Sequence, residues 1–284
     1  MSSRFPERPR SRVRGLALGL AAISAAAIAA LPGAAGNGPL RVCADPDNAP
    51  FSTADATGFE NRLATMLADA LGTEARFYWW PQRRGFLRNT LDAKVCDVVM
   101  GMPVGSPGVL TTAPYYEAGY VFAYRPDRVS GVGSYDDPAL RKLRVGVPLV
   151  GNDMAATPPG HALARRGVTD NVIGFAPFGR ANVAERMMAA LADGTVDVAL
   201  LWAPQAAYFA RRQDFEVRLA PARDDGAPEP QQFAMAIAVR ADEPALRDAL
   251  AAALARLQPR VDALLREVGV TGVGAPAAML SRSR

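Results

Sequence analysis

The sequence predicts an α/β protein built as two doubly wound lobes joined by two connecting strands. Three observations carry that reading. Strand-like apolar runs alternate with helical periodicity from Leu40 to Met100, in the order β-α-β-α-β. The end of that unit, Leu91…Asp97-Val98-Val99-Met100, returns 100 residues later as Leu191…Asp197-Val198-Ala199-Leu200. Two further strands, Tyr120–Tyr124 and Phe233–Val239, stand where connectors between the two units belong.

Each element has a local signal. Leu40–Ala44 is an apolar strand, and Asp45-Pro46-Asp47-Asn48-Ala49-Pro50 is a turn-rich loop. Phe59, Leu63, Met66, Leu67, Ala70 and Leu71 share one helical face, and Gly72 stops that helix. Phe77–Trp80 reads as a second strand. Pro81 starts a turn into a helix expected to run to about Asp92, and Cys96–Met100 is the third strand. The order implies parallel pairing with right-handed crossovers. Leu143–Val147 opens the second unit, followed by a helix at Asn182–Ala192 and a strand at Val196–Leu201. After Phe233–Val239, Leu246, Leu250, Leu254 and Leu257 form one helical face. Pro259 is expected to reset the chain into a second helix carrying Val261, Leu264, Leu265 and Val268, which ends at Gly269. The tail from Gly272 is expected to fray.

The 284 residues are 50% hydrophobic and 21% charged, a globular composition. The formal charge of +4 resides entirely in the first 35 residues, which hold five arginines and one glutamate, so the remainder is neutral. A neutral chain without a basic stripe gives no electrostatic reason to expect nucleic acid. One histidine and two cysteines leave too few ligands for a multi-histidine zinc site or a Cys-rich cluster.

Met1–Arg14 is basic, Leu16–Leu31 is an apolar run rich in small residues, and Gly33-Ala34-Ala35 follows. This is the pattern of a secretory signal peptide cleaved after about Ala35. The rival reading, a membrane anchor, needs about 20 apolar residues and the run is shorter. No stable membrane insertion is expected after cleavage. Export to an oxidising compartment favours a bridge between Cys43 and Cys96, the alternative being two buried thiols.

The order of these pieces resembles the type II periplasmic solute-binding proteins of the amino-acid-binding family. The residues that carry the resemblance are Leu40–Asp45, Pro50-Phe51, Gly58-Phe59-Glu60, Asp97-Val98-Val99 and Pro114-Tyr115-Tyr116. Within that family, Val42–Phe51, Trp79-Trp80-Pro81-Gln82-Arg83-Arg84-Gly85-Phe86 and Cys96–Gly101 resemble the J proteins of methanol oxidation clusters. The resemblance implies a periplasmic clamshell with lobe 1 at 36–122 and 236–284 and lobe 2 at 123–235. It also implies a partner, a pyrroloquinoline-quinone-dependent methanol or alcohol dehydrogenase, with its cytochrome c as a further candidate. One departure stands out. The stretch Pro103–Thr112 lacks the arginine with which amino-acid-binding members hold a carboxylate, and Trp202-Ala203-Pro204 lacks the acid that meets the amino group.

The residues expected at the cleft follow from this frame. Asp47 and Asn48 sit at the carboxyl edge of the first strand, where open sheets bind ligands; the competing reading is a set of turn-forming side chains bonding their own backbone. Phe51, Met102 and Thr111 flank the same edge. Trp80, Arg83 and Arg84 form an aromatic and cationic wall of the cleft or of a docking surface, one of Trp79 and Trp80 being expected inward. Asn152 and Asp153 open the helix after the first strand of lobe 2, and Trp202 ends its last strand, where core packing competes with a cleft role. His161, among Pro158, Pro159 and Gly160, reads as a surface loop histidine with no carboxylate placed to orient it, and Asp224-Asp225 is too small a group for a metal. No acid–base couple, cofactor motif or metal set is present, so an enzyme is not expected. The function read from the sequence is an accessory of the dehydrogenase system, acting by protein contact or ligand handling. The alternative is a transporter receptor for a small polar ligand that is not an amino acid.

Overall fold

The computed structural model describes residues 38–150, 155–178, 181–224 and 228–270. The expected signal peptide, Asn152, Asp153 and the tail from Gly272 lie outside these residues.

The first half of the chain runs through β1 (Leu40–Ala44), a short hairpin of β2 (Asp47–Asn48) and β3 (Ser52–Thr53), α1 (Phe59–Ala70), β4 (Ala75–Trp79), α2 (Phe86–Asn89), β5 (Val98–Pro103) and β6 (Val109–Thr111). Strand β7 (Tyr116–Tyr124) leads to a 3-10 turn at Pro138–Arg141. The second half continues with β8 (Val145–Val150), β9 (Ala155–Ala156), α3 (Pro158–Arg165), β10 (Val172–Phe175), α4 (Val183–Asp193), β11 (Val198–Trp202), α5 (Ala203–Ala210) and β12 (Arg218–Pro221). Strand β13 (Gln232–Arg240) returns, and α6 (Pro244–Val268) closes the fold.

The strands form one continuous path, β10-β8-β11-β7-β13-β5-β1-β4. In the first lobe β1 pairs in parallel with β4 and β5, as the alternation of elements requires. In the second, β8 pairs in parallel with β10 and β11. The connectors are β7 and β13. Their beginnings pair antiparallel with each other, Gly119 opposite Gln232 and Tyr116 opposite Met235. The remainder of β7 joins β11 and β12, while the remainder of β13 joins β5 and β6.

Both faces of each lobe are covered. In the first lobe α1 and α6 bury Leu63, Leu67, Leu250, Leu254 and Leu264 on one face. The opposite face is a small core of Cys43, Phe86, Leu91, Cys96 and Val99. Cys43 and Cys96 are joined by a disulfide with their Cα atoms 5.4 Å apart, because β1 and the approach to β5 are sheet neighbours.

Two expectations are corrected. The helix expected from Pro81 to Asp92 shrinks to the four residues of α2, because Gly85 adopts a left-handed φ of 85° that no helix interior accepts. The two helices expected around Pro259 are one 25-residue helix. Proline removes a hydrogen bond, a cost of about 3 kcal/mol. Pro259 is exposed. Leu246, Leu250 and Leu254 before it, and Val261, Leu264 and Leu265 after it, are buried in one core. Each such side chain contributes about 1.5–3 kcal/mol, so the helix continues through the defect.

Candidate functional site at the seam between the lobes

The loop after β1 is tied down by its own polar groups. The Asp45 carboxylate accepts the N–H of Asp47 at 2.8 Å and that of Gln82 at 2.6 Å. Ser52 donates its hydroxyl to the Asp45 carbonyl at 2.7 Å. The loop then covers the start of α1. Phe59 and Glu60 donate their N–H groups to the carbonyls of Pro50 and Phe51, both at 2.9 Å. These bonds replace a side-chain cap, of which α1 has none. Gly58 is required there, since a Cβ would lie 2.2 Å from the Phe51 oxygen. Phe51 itself points into the first lobe's core, 5.4 Å from the ring of Phe59 and 6.3 Å from that of Tyr116.

Asn48 sits where the lobes meet. Its amide nitrogen donates to Gln82 Oε1 at 3.1 Å, within the first lobe. Its Oδ1 accepts from Gln205 Nε2 at 3.0 Å, on α5 of the second. Beside it, Asn182 Nδ2 donates to the Asp47 carbonyl at 2.9 Å, while Asn182 Oδ1 caps α4 through the Ala184 N–H at 2.8 Å. Arg83 places its guanidinium 4.7 Å from the ring centroid of Phe178, a cation–π contact between the lobes.

Apolar packing interlocks the two halves in both directions. Ala49 of the first lobe packs on the second lobe's α4–α5 core. Trp202, at the end of β11, packs on the first lobe's core. Its ring lies 5.3 Å from Tyr120 and 6.0 Å from Phe233, over the place where the two connectors cross.

The remaining candidates are dispersed. Trp80 packs with Tyr78 on the disulfide core, while Trp79 stacks on Phe77 at 5.2 Å; both indoles are half-buried. Arg84 is exposed on the turn before α2. Met102 pairs with Ala236 and packs on the disulfide core, and Thr111 pairs with Ala238. His161 lies on α3, not in a loop, and its Nδ1 is 3.6 Å from Glu229, a carboxylate too distant in sequence to anticipate. Asp224 is held by Arg165 and Arg166. Among the described residues no group of acids, histidines or cysteines is arranged to hold a metal.

Sequence reasoning missed Gln205 and Asn182 as partners of the loop. A lone glutamine on a helix carries no signal. The Asn182…Glu185 spacing marks a helix start, but nothing in it foretells the bond to Asp47.

Three carboxyl groups feel this environment. Asp47 is raised above the usual range by burial and by the neighbouring charges of Asp45 and Glu185, against the opposing pull of Arg186. Glu60, buried on α1, is pushed up to about 7 by desolvation, although Tyr115 donates its hydroxyl to it at 2.7 Å. Burial also acts on Asp97, but bonds from Arg41 and Arg240 outweigh it and hold that carboxyl below its ordinary value.

At the carboxyl ends of β1 and β5, a cavity lined by Asp45, Ser52, Glu60, Asn61 and Gln82 has a volume of about 10 Å³. Pockets for small molecules start near 300 Å³. A groove of about 300 Å³ lies between the start of α1 and the end of α5. Its basic rim includes Arg62, paired with Glu267 at 2.6 Å, and Arg212, stacked on Tyr208 at 3.4 Å.

No protein-family model matches the chain. Two relatives do. Protein MoxJ of Methylorubrum extorquens is 36% identical over 266 residues, spanning 88% of this chain and 85% of its own length. Protein MoxJ of Paracoccus denitrificans is 32% identical over 267 residues, spanning 87% of this chain and 94% of its own. The chain belongs to the MoxJ family.

The solved structure of the periplasmic binding protein XoxJ from Methylobacterium extorquens AM1 superposes with a TM-score of 0.67 at 32% identity, covering 83% of this MoxJ-family chain and all of that one. The fold is therefore that of the type II periplasmic binding proteins, as the strand order and the resemblance implied. No helix among the described residues is long and apolar enough to cross a membrane. In this MoxJ-family member, the turn where amino-acid receptors hold a carboxylate has no arginine. Its cleft-side loop bonds to the opposite lobe directly.

Proposed function

We propose that this protein is a periplasmic accessory of a pyrroloquinoline-quinone-dependent methanol or alcohol dehydrogenase system, acting through protein contact rather than by carrying a solute. It uses the clamshell as a scaffold and performs no chemistry of its own. The observation that carries this reading is Asn48, whose side chain spans the seam from Gln82 to Gln205. These amides satisfy one another across the seam. The wedge of Trp202 over the crossing strands and the absent carboxylate clamp support the same conclusion.

The test is reconstitution with the dehydrogenase purified from the same cells. Co-elution on gel filtration, or a change in the dehydrogenase's activation when the protein is added, is expected. No complex and no effect overturns the reading. The second reading, a receptor for a small polar ligand, draws on the 300 Å³ groove beside Arg62 and Arg212. A thermal-shift screen separates the two, because a metabolite at 100 times its Kd stabilises by about 2.7 kcal/mol.

A further inference from the structure

Strand β4 is the outer edge of the first lobe's sheet, paired with β1 alone. Edge strands present unpaired backbone groups, and proteins usually protect them. In β4 the charge is confined to the first half, where exposed Arg76 pairs with Glu74. Phe77, Tyr78, Trp79 and Trp80 follow one another, all half-buried, on alternating faces of the strand. Pro81 to Arg84 are all exposed, as is Arg88. Residues 80–91 contain three arginines and no acid, while the chain from residue 36 onward is neutral overall. Three positive charges with no acid among them thus follow the aromatic edge in the chain.

The ledge is also stiff. The disulfide ties β1 to the start of β5, and Trp80, Phe86 and Leu87 pack on it from the ledge side. The left-handed Gly85 turns the chain sharply after Arg83-Arg84. Rigid Trp, Tyr and Arg side chains on a fixed support are the residues that dominate protein interfaces, since little entropy is lost when they dock.

We propose that the β4 edge and the 80–88 turn form the docking surface for an acidic protein partner. Its carboxylates would face Arg84 and Arg88, and its apolar surface would cover Trp79 and Trp80. This rests on the accessory reading above and names the face that reading uses. Its electrostatics would speed association and make it sensitive to salt.

The experiment measures the affinity of the full mature chain for the purified dehydrogenase at about 50 and 300 mM salt. It compares the intact protein with R84E/R88E, with the milder R84Q/R88Q, and with R256E/R260E on the exposed face of α6. Tenfold or greater weakening for R84E/R88E, a smaller loss for R84Q/R88Q, a flattened salt dependence and less than twofold change for the α6 control are expected, with thermal midpoints unchanged. A complex that R84E/R88E binds as tightly as the intact protein overturns the docking face and leaves the accessory reading standing. Absence of any complex with the intact protein overturns both.

Discussion

Gln205, on a helix of the second lobe, donates a 3.0 Å hydrogen bond to the side-chain oxygen of Asn48 in the first, 157 residues away. With the Asn182 bond to the Asp47 carbonyl, it stitches the mouth of the clamshell directly.

Removing these stitches should let the lobes part. N48A deletes both the Gln82 and the Gln205 bonds, and N182A deletes the bond to Asp47 and the cap of α4. Each lost bond or cap is expected to cost about 1 kcal/mol, so about 2 kcal/mol for each variant. The N48A/N182A protein should show a larger radius of gyration by small-angle scattering. An unchanged scattering curve would mean that apolar packing alone holds the seam.

Trp202 is the main apolar element of that packing. W202A is expected to lower stability by about 2–3 kcal/mol, less than a fully buried indole because the residue is only half-buried. It should also expose Tyr120 and Phe233 to solvent. Urea unfolding and dye binding check both effects.

Two carboxyl groups impose opposite pH dependences. Glu60 is raised to about 7, so between about pH 4.5 and 7 the folded protein keeps a proton that the unfolded chain releases. Its contribution therefore falls as pH rises through that window, by roughly 3 kcal/mol in all. Asp97 is lowered, so its contribution is complete above the ordinary carboxylate range and is lost as pH falls through its depressed value. E60Q keeps an acceptor for Tyr115 and should flatten the decline from pH 5 to 7. D97N should remove the acid-side loss while weakening the protein at neutral pH. Urea titrations at several pH values read both slopes, and an E60Q slope equal to the parent's would refute the first assignment.

The disulfide spans 53 positions. On the chain-entropy model C43A/C96A should lose about 4 kcal/mol. The loss should appear as a lower denaturation midpoint, with the ledge of β4 and α2 becoming protease-sensitive first because it packs on the bridge.

The internal repeat shows how much could be read without coordinates. The motif Leu-Arg-Val before one strand and Asp-Val after one helix occurs twice, and both copies fold alike. Arg41 grips Asp97 through its side chain and its backbone N–H, and Arg144 grips Asp197 in the same way. Neighbouring parallel strands bring these residues together; the repeat marked the positions, and the structure added the pairing. The extent of α2 and the continuity of α6 were not legible. In each, one residue decided against the local pattern, Gly85 by its backbone angle and Pro259 by being overruled by the core on either side.

The sequence by itself determined the α/β class, the two units and the connectors. These depend on periodicity, turn chemistry and residue identity, all of which are local. Only the tertiary structure decided that Asn48 meets Gln205, that Trp202 lies over the crossing of β7 and β13, and that the arginines of the 80–88 turn flank a free sheet edge. Those facts join residues from separate lobes or depend on which strand ends a sheet. No short-range signal encodes them, because the bonds form only after both lobes have folded and come together.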